Sequence, residues 1–148
     1  MIVVLNILIV LFTFIVMEFV AWATHKYVMH GFLWNLHKDH HVVDKNKILQ
    51  KNDYFFLIFA IPSIILIYYG LENLSIGFFI GLGILFYGIA YFIVHEIIIH
   101  RRLPPPKKTK SKYIKAIRKA HKIHHKNLGK YHGVNFGMLI VPRKYFKL

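Results

Sequence analysis

Apolar residues run almost without interruption through 2–23, 54–70 and 76–99, whereas the stretches between and after them are polar and basic. The first and third runs exceed the roughly 20 residues a helix needs to cross a bilayer, and the second lies near the lower limit. Three transmembrane helices are therefore expected. The first run carries Ala21-Trp22-Ala23, which has the look of a signal-peptidase site, but it lacks a basic start and is too long for a signal peptide. It is read as an uncleaved span.

The remaining pattern predicts helices of a different kind. Span one continues without a breaker to about His30, where Gly31 can stop it. A short helix from about Leu33 to His41 follows, and then a polar connector over 44–53. Spans two and three form a hairpin through Gly70–Ser75, with Pro62 kinking span two. Gly77 and Gly81, spaced small-xxx-small, predict close helix packing. No strand precedes these glycines, so no nucleotide-binding loop is read there. Pro104-Pro105-Pro106 breaks the chain after span three, and 111–126 reads as an amphipathic helix with lysines opposite Ile117, Ala120, His121, His124 and His125. Phe136–Val141 is too short to span and is expected against the bundle or the interface. Trp22, Tyr27 and Trp34 fit an interfacial aromatic belt.

Charge fixes an expected orientation. None of the twenty Lys and Arg residues falls in 1–24 or 54–99; five lie in 25–53 and fifteen in 100–148. Basic loops stay on the cytoplasmic side, so 25–53 and 100–148 are placed in the cytoplasm and the N-terminus outside. The expected architecture is an all-α, integral-membrane bundle of about three transmembrane helices with a cytoplasmic helical cap, one domain over 1–148. The absence of cysteine excludes haem-thiolate ligation and iron–sulfur clusters built from this chain. The basic tail could also touch anionic lipid, and no nucleic-acid partner is expected.

Ten of the eleven histidines fall into four clusters: His25-x4-His30, His37-x2-His40-His41, His95-x4-His100 and His121-x2-His124-His125. The same pair of spacings thus occurs twice, and only His132 is left over. On a helix, residues i, i+3 and i+4 share an arc of about 100°, so each HxxHH set can face one site. An i, i+5 pair lies about 140° apart on a straight α-helix. It converges only if the helix loosens at its end, or it serves two metals. All four clusters fall at the cytoplasmic ends of spans or on cytoplasmic helices. Any one cluster alone reads as solvated or interfacial histidine; the four together read as a metal site. Ten imidazoles are too many for one ion and suit two, at about five each, leaving room for O2 to be activated. Structural zinc would be closed at four ligands. Two divalent ions among neutral ligands also call for an oxo or hydroxo bridge and for carboxylates that fix the imidazoles. Glu18, inside the first span, Asp39 and Glu96 are the candidates.

These residues carry a resemblance. Glu18, His25 to Gly31, Trp34, His37 to His41, Asn52-Asp53, Val94-His95-Glu96, His100 to Arg102, Ala120 to His125, Gly129-Lys130 and Phe136 to Pro142 resemble the bacterial β-carotene hydroxylases of the membrane fatty-acid hydroxylase superfamily. The likeness covers nearly the whole chain. It implies a bacterial inner-membrane, multi-pass enzyme with two iron ions held by the ten clustered histidines. It further implies O2-dependent 3-hydroxylation of the β-ionone ring of a carotenoid from the membrane, β-carotene to zeaxanthin, with electrons from a ferredoxin. Glu96 departs from the family's usual Asp, a conservative change. With no flavin or nicotinamide signature, reducing equivalents must come from another protein, and the tail, fifteen basic residues and no acid, would steer an acidic carrier. The histidines alone fit equally a hydroxylase or desaturase of fatty acyl or sterol chains. A non-catalytic metal-binding or transport protein would place more polar residues deep in the spans than Glu18.

Overall fold

The computed structural model describes residues 1–42, 49–102 and 109–147. The first half of the 44–53 connector, residues 44–48, and all of Pro104–Pro106 therefore lie outside the described residues. Among the described residues every regular element is a helix, with no strand.

Helix α1 (Ile2–Ala23) runs directly into a π-helical stretch, Thr24–Phe32, that ends at a non-helical Gly31. Helix α2 (Trp34–His41) follows, then a 3-10 turn at Lys51–Asp53 and helix α3 (Tyr54–Gly70), with Pro62 inside it. Helix α4 (Ile76–Phe92) begins on Ser75, whose hydroxyl accepts from Phe78 N, and passes into a second π-helical stretch, Ile93–Ile99. Helix α5 (Lys112–His124) starts on Ser111 and is followed by an irregular segment and a 3-10 turn at Arg143–Phe146. The continuous helices Ile2–Phe32, Lys51–Gly70 and Ile76–Ile99 are each long and apolar enough to cross a membrane.

Helix α4 is the centre of the bundle, packing on α3 at one side and on α1 at the other. Glycine makes both approaches possible, though not the expected pair. A Cβ on Gly81 would come within 3.0 Å of Ser63 O, and Ser63 Oγ donates to Gly81 O at 2.8 Å. A Cβ on Gly83 would meet Thr13 Cβ at 2.5 Å. Gly77 has only ordinary contacts. The close-packing residues are thus Gly81 against α3 and Gly83 against α1, because residues two apart on a helix face different neighbours. Apolar side chains cover the outside of all three long helices, so the buried set is small and concentrated at one end. Eight of the ten clustered histidines are buried there. They lie beneath α2, α5 and the 126–141 segment, which cap the ends of α1 and α4.

Candidate metal centre

The two π-helical stretches resolve the i, i+5 problem. A π-helix bonds residue i to i+5, which stacks those two residues on one face. The amide of His100 donates to His95 O at 2.9 Å, so the wide turn closes between the two histidines themselves. The amide of Leu33 donates to Val28 O at 3.0 Å in the first stretch. The helix loosens, and each pair converges.

Two groups result. The imidazoles of His25, His30, His37, His41 and His124 place one nitrogen each within 4.8 Å of all the others; those of His40, His95, His100 and His121 do the same. His125 joins the second group, its Nε2 2.8 Å from His121 Nε2. Each HxxHH set is therefore split. His37 and His41, four apart, are about 40° apart around α2 and face the first group; His40 lies on the other side of His37 and faces the second. On α5 the roles reverse: His121 and His125 face the second group and His124 the first. Each group receives one i, i+5 pair, one i, i+4 pair and one histidine crossing from the other cap helix.

Local partners set the tautomers. His25 Nδ1 donates to Phe136 O, His30 Nδ1 to Lys130 O, His41 Nδ1 to Asn127 O and His124 Nδ1 to Val134 O, at 2.8–3.0 Å. His37 Nδ1 donates to Asn52 Oδ1 at 2.6 Å, His40 Nδ1 to Gln50 Oε1 at 3.0 Å and His95 Nδ1 to Glu96 Oε1. These oxygens only accept, so in the neutral rings Nδ1 carries the hydrogen and Nε2 is left as a lone pair. Yet the Nε2 atoms of these rings crowd together: His25–His37 3.2 Å, His37–His41 3.2 Å, His30–His124 3.3 Å and His40–His95 3.1 Å. Lone pairs at that distance repel. Two nitrogens each about 2.1 Å from a shared ion, at right angles to it, would stand about 3 Å apart. The spacing fits adjacent ligands of a cation, and the donor set, all neutral nitrogen with its other nitrogen hydrogen-bonded, fits a transition metal.

Electrostatics agree. Burial lowers His37 and His125 to about 2, His100 and His124 to about 3, and His41 to about 4, with neighbouring imidazoles adding to the effect; His40 and His121 are lowered as well. These rings stay neutral at pH 7, the state a metal requires. The sign for stability follows. An unfolded histidine takes up a proton below about 6.5 while the folded one does not, so the metal-free cap is at full stability above that pH and loses it as pH falls toward 4. At pH 5 the loss is about 2 kcal/mol for each histidine kept neutral. Fluorescence of Trp34, which packs on His30, His37 and His41, reports cap opening during an acid titration of metal-free protein. A flat response from pH 7 to 5 would contradict the neutral assignment.

The fatty acid hydroxylase family matches residues 10–142. The chain belongs to that family. A "Beta-carotene hydroxylase" of Pantoea ananas is 40% identical over 137 residues, spanning 93% of this chain and 78% of its own. One of a Paracoccus species is 36% identical over 138 residues, 93% and 85% of the two chains. A chloroplastic "Beta-carotene 3-hydroxylase 2" of Arabidopsis thaliana is 35% identical over 132 residues, 86% of this chain and 43% of its own length. No solved structure matches.

Of the three carboxylates expected to fix imidazoles, Glu96 alone touches one. Its Oε1 accepts from His95, and its Oε2 accepts from Arg102, which also bridges to Asp53 at 2.9 Å. Asp39 Oδ2 accepts from Lys51 N at 2.7 Å, holding the turn that presents Gln50 and Asn52, and no hydrogen bond joins Asp39 to an imidazole among the described residues. Glu18 has other partners. Its Oε1 accepts the amides of Met138, Leu139 and Ile140 at 2.8–2.9 Å, and its Oε2 accepts from Tyr87 Oη at 2.8 Å. It ties the segment after Phe136 to α1 and reaches the histidines through that backbone. The ring of Trp34 walls the first group, packing on His30 and His41. His132 is exposed, at positive φ, apart from both groups.

The acceptors that sequence reasoning left without a role are Asn52, Gln50 and four backbone carbonyls. Asn52, buried at the foot of α3, carried a signal, since a polar side chain there needs a partner. Backbone carbonyls leave none.

Proposed function

We propose that the chain hydroxylates the β-ionone ring of a carotenoid at the 3 position, converting β-carotene to zeaxanthin. The observation that carries this is the set of relatives named beta-carotene hydroxylase, bacterial ones aligned over 93% of the chain. The two histidine groups support the chemistry. In the balanced reaction a ring C–H becomes C–O–H, the second oxygen of O2 leaves as water, and two electrons and two protons are consumed. Two irons, when bound, would supply the reductive activation of O2 that this needs. His25, His30, His37, His41 and His124 would hold one, and His40, His95, His100, His121 and His125 the other.

The chain's own residues do the rest. Asn52, Gln50, Glu96 and the carbonyls of residues 127–136 hold seven imidazoles in one tautomer and one orientation, so no reorganisation is needed when metal arrives. Buried Phe55 and the ring of Phe136 pack on imidazoles of the first group and keep water from it. An apolar substrate would arrive laterally from the bilayer, its ring reaching the ends of α1 and α4. The distribution of Lys and Arg supports a bacterial inner-membrane enzyme with the cap in the cytoplasm and the N-terminus outside. A ferredoxin would supply the electrons.

Expression in a β-carotene-producing bacterium tests the reading. Zeaxanthin, with the monohydroxylated pigment before it, is the expected product. Unchanged β-carotene over intact, iron-loaded protein would reject it. The family's fatty acid hydroxylase description supports a second reading, hydroxylation of an acyl chain, which lipid analysis of the same cells would reveal as hydroxylated fatty acid.

A further inference from the structure

Seven of the ten imidazoles donate Nδ1 to a protein oxygen; His100, His121 and His125 have no such acceptor among the described residues. Those three line one cleft of about 650 Å³, together with His41. The cleft therefore opens the second histidine group, and the edge of the first, on the side where the inner hydrogen-bond shell is missing. Deeper in the site, His37, His40, His95 and His124 are each 2% exposed or less.

The rim of the cleft is cationic. Lys115, Arg118, Lys119 and Lys122 stand on α5 at i, i+3, i+4 and i+7, a single stripe beside the stripe of Ala116, Ile117, Ala120 and His121 that is buried against the core. None of the four pairs with a carboxylate among the described residues, and the chain has no acid after Glu96 to offer. Lys119 Nζ donates to Lys147 O, a neutral partner. Of the chain's six acids, Glu18, Asp39, Asp53 and Glu96 are engaged elsewhere. A stripe of unneutralised charge around an opening attracts an anionic partner and orients it there.

The geometry points to this cleft as the docking surface for an acidic, one-electron iron–sulfur carrier, seated on the α5 stripe with His125 and His100 as the groups nearest to it. The inference rests on the proposed O2-dependent hydroxylation and deepens it. Two electrons per turnover must enter from outside, since the chain holds no redox group of its own beyond the metals. Two reduced carriers are each oxidised once, and the protons consumed can enter along the same solvated cleft. A carboxylate of the partner also suits the Nδ1 positions of His100 and His125, which lack an acceptor. An anionic membrane surface is the competing occupant. The cleft disfavours it, because a flat lipid surface neutralises a rim without entering the opening it surrounds.

The test is direct binding of a reduced plant-type [2Fe–2S] ferredoxin to the iron-loaded protein in nanodiscs of zwitterionic lipid. Wild-type protein binds with an affinity that falls as salt rises, and K115E/K122E weakens it by about tenfold with unchanged iron content. Reversal at Arg143 and Lys144, equally basic but off the cleft, has a much smaller effect. Equal affinity for wild type and K115E/K122E overturns the proposal. So does a variant that changes only the response to added anionic lipid. Because binding is read without turnover, failure of the carotenoid assignment shows separately, as absence of hydroxylated pigment from wild-type protein.

Discussion

On the proposed reading, replacing His124 with alanine lowers zeaxanthin formation at least about a hundredfold and brings iron from the proposed two per chain toward one. The magnitude follows from position. Removing an outer hydrogen-bond partner of a metal ligand typically costs 10–100-fold in affinity or activity. His124 would be a ligand itself, and it is the only one that α5 sends to the first group. Its Nε2 stands 3.3 Å from that of His30, and its side chain is fully buried, so water has poor access to the vacated position. His40→Ala is the mirror case, removing the single α2 contribution to the second group. Iron analysis and pigment chromatography of both variants check the expectation, with His132→Ala as the control that retains wild-type values. Wild-type turnover by either His124→Ala or His40→Ala would remove the basis for assigning ligands from the two groups.

That crossing also shows what the sequence could and could not convey. The spacing x4 and x2-adjacent, repeated twice, was enough to bring ten histidines to one end of the three spans, because periodicity fixes which side of a helix a residue occupies. Helix lengths were legible for the same reason: α2 and α5 lie within two residues of the expected bounds. The division of labour within each HxxHH set was not legible. It depends on α2 and α5 lying so that His40 and His124 reach across, and helix orientation is a property of packing. The π-helical turns were half legible, since an i, i+5 pair demands either a loosened helix or two metals, and the pattern alone could not choose. Glu18 stands out in the sequence as an acid in an apolar span, but its partners do not. A carboxylate in a membrane helix must find donors, but the donors turned out to be amides 120–122 residues away in the chain. Spacing says nothing about contacts of that range.

Glu18→Ala is expected to cost metal without touching a ligand. Three consecutive amides, of Met138, Leu139 and Ile140, converge on one carboxylate oxygen, and Met138 is buried. Removing the acceptor strands them, at about 1–3 kcal/mol for each buried donor left unpaired. The segment they anchor supplies Lys130 O, Val134 O and Phe136 O to His30, His124 and His25. Release of that segment therefore frees three of the five imidazoles of the first group and none of the second. On the proposed two-iron reading, iron should fall toward one per chain, with affinity at the first group weakened about 10–100-fold. Glu18→Gln is the informative companion. Its amide oxygen can keep the three backbone donors, while its NH2 turns to the hydroxyl of Tyr87, which can accept. It should retain most of the iron that Glu18→Ala loses. A role limited to packing of α1 would make the two variants lose both irons together, through unfolding of the bundle. A metal titration that shows one site weakened and the other intact separates positioning of the first group from general destabilisation.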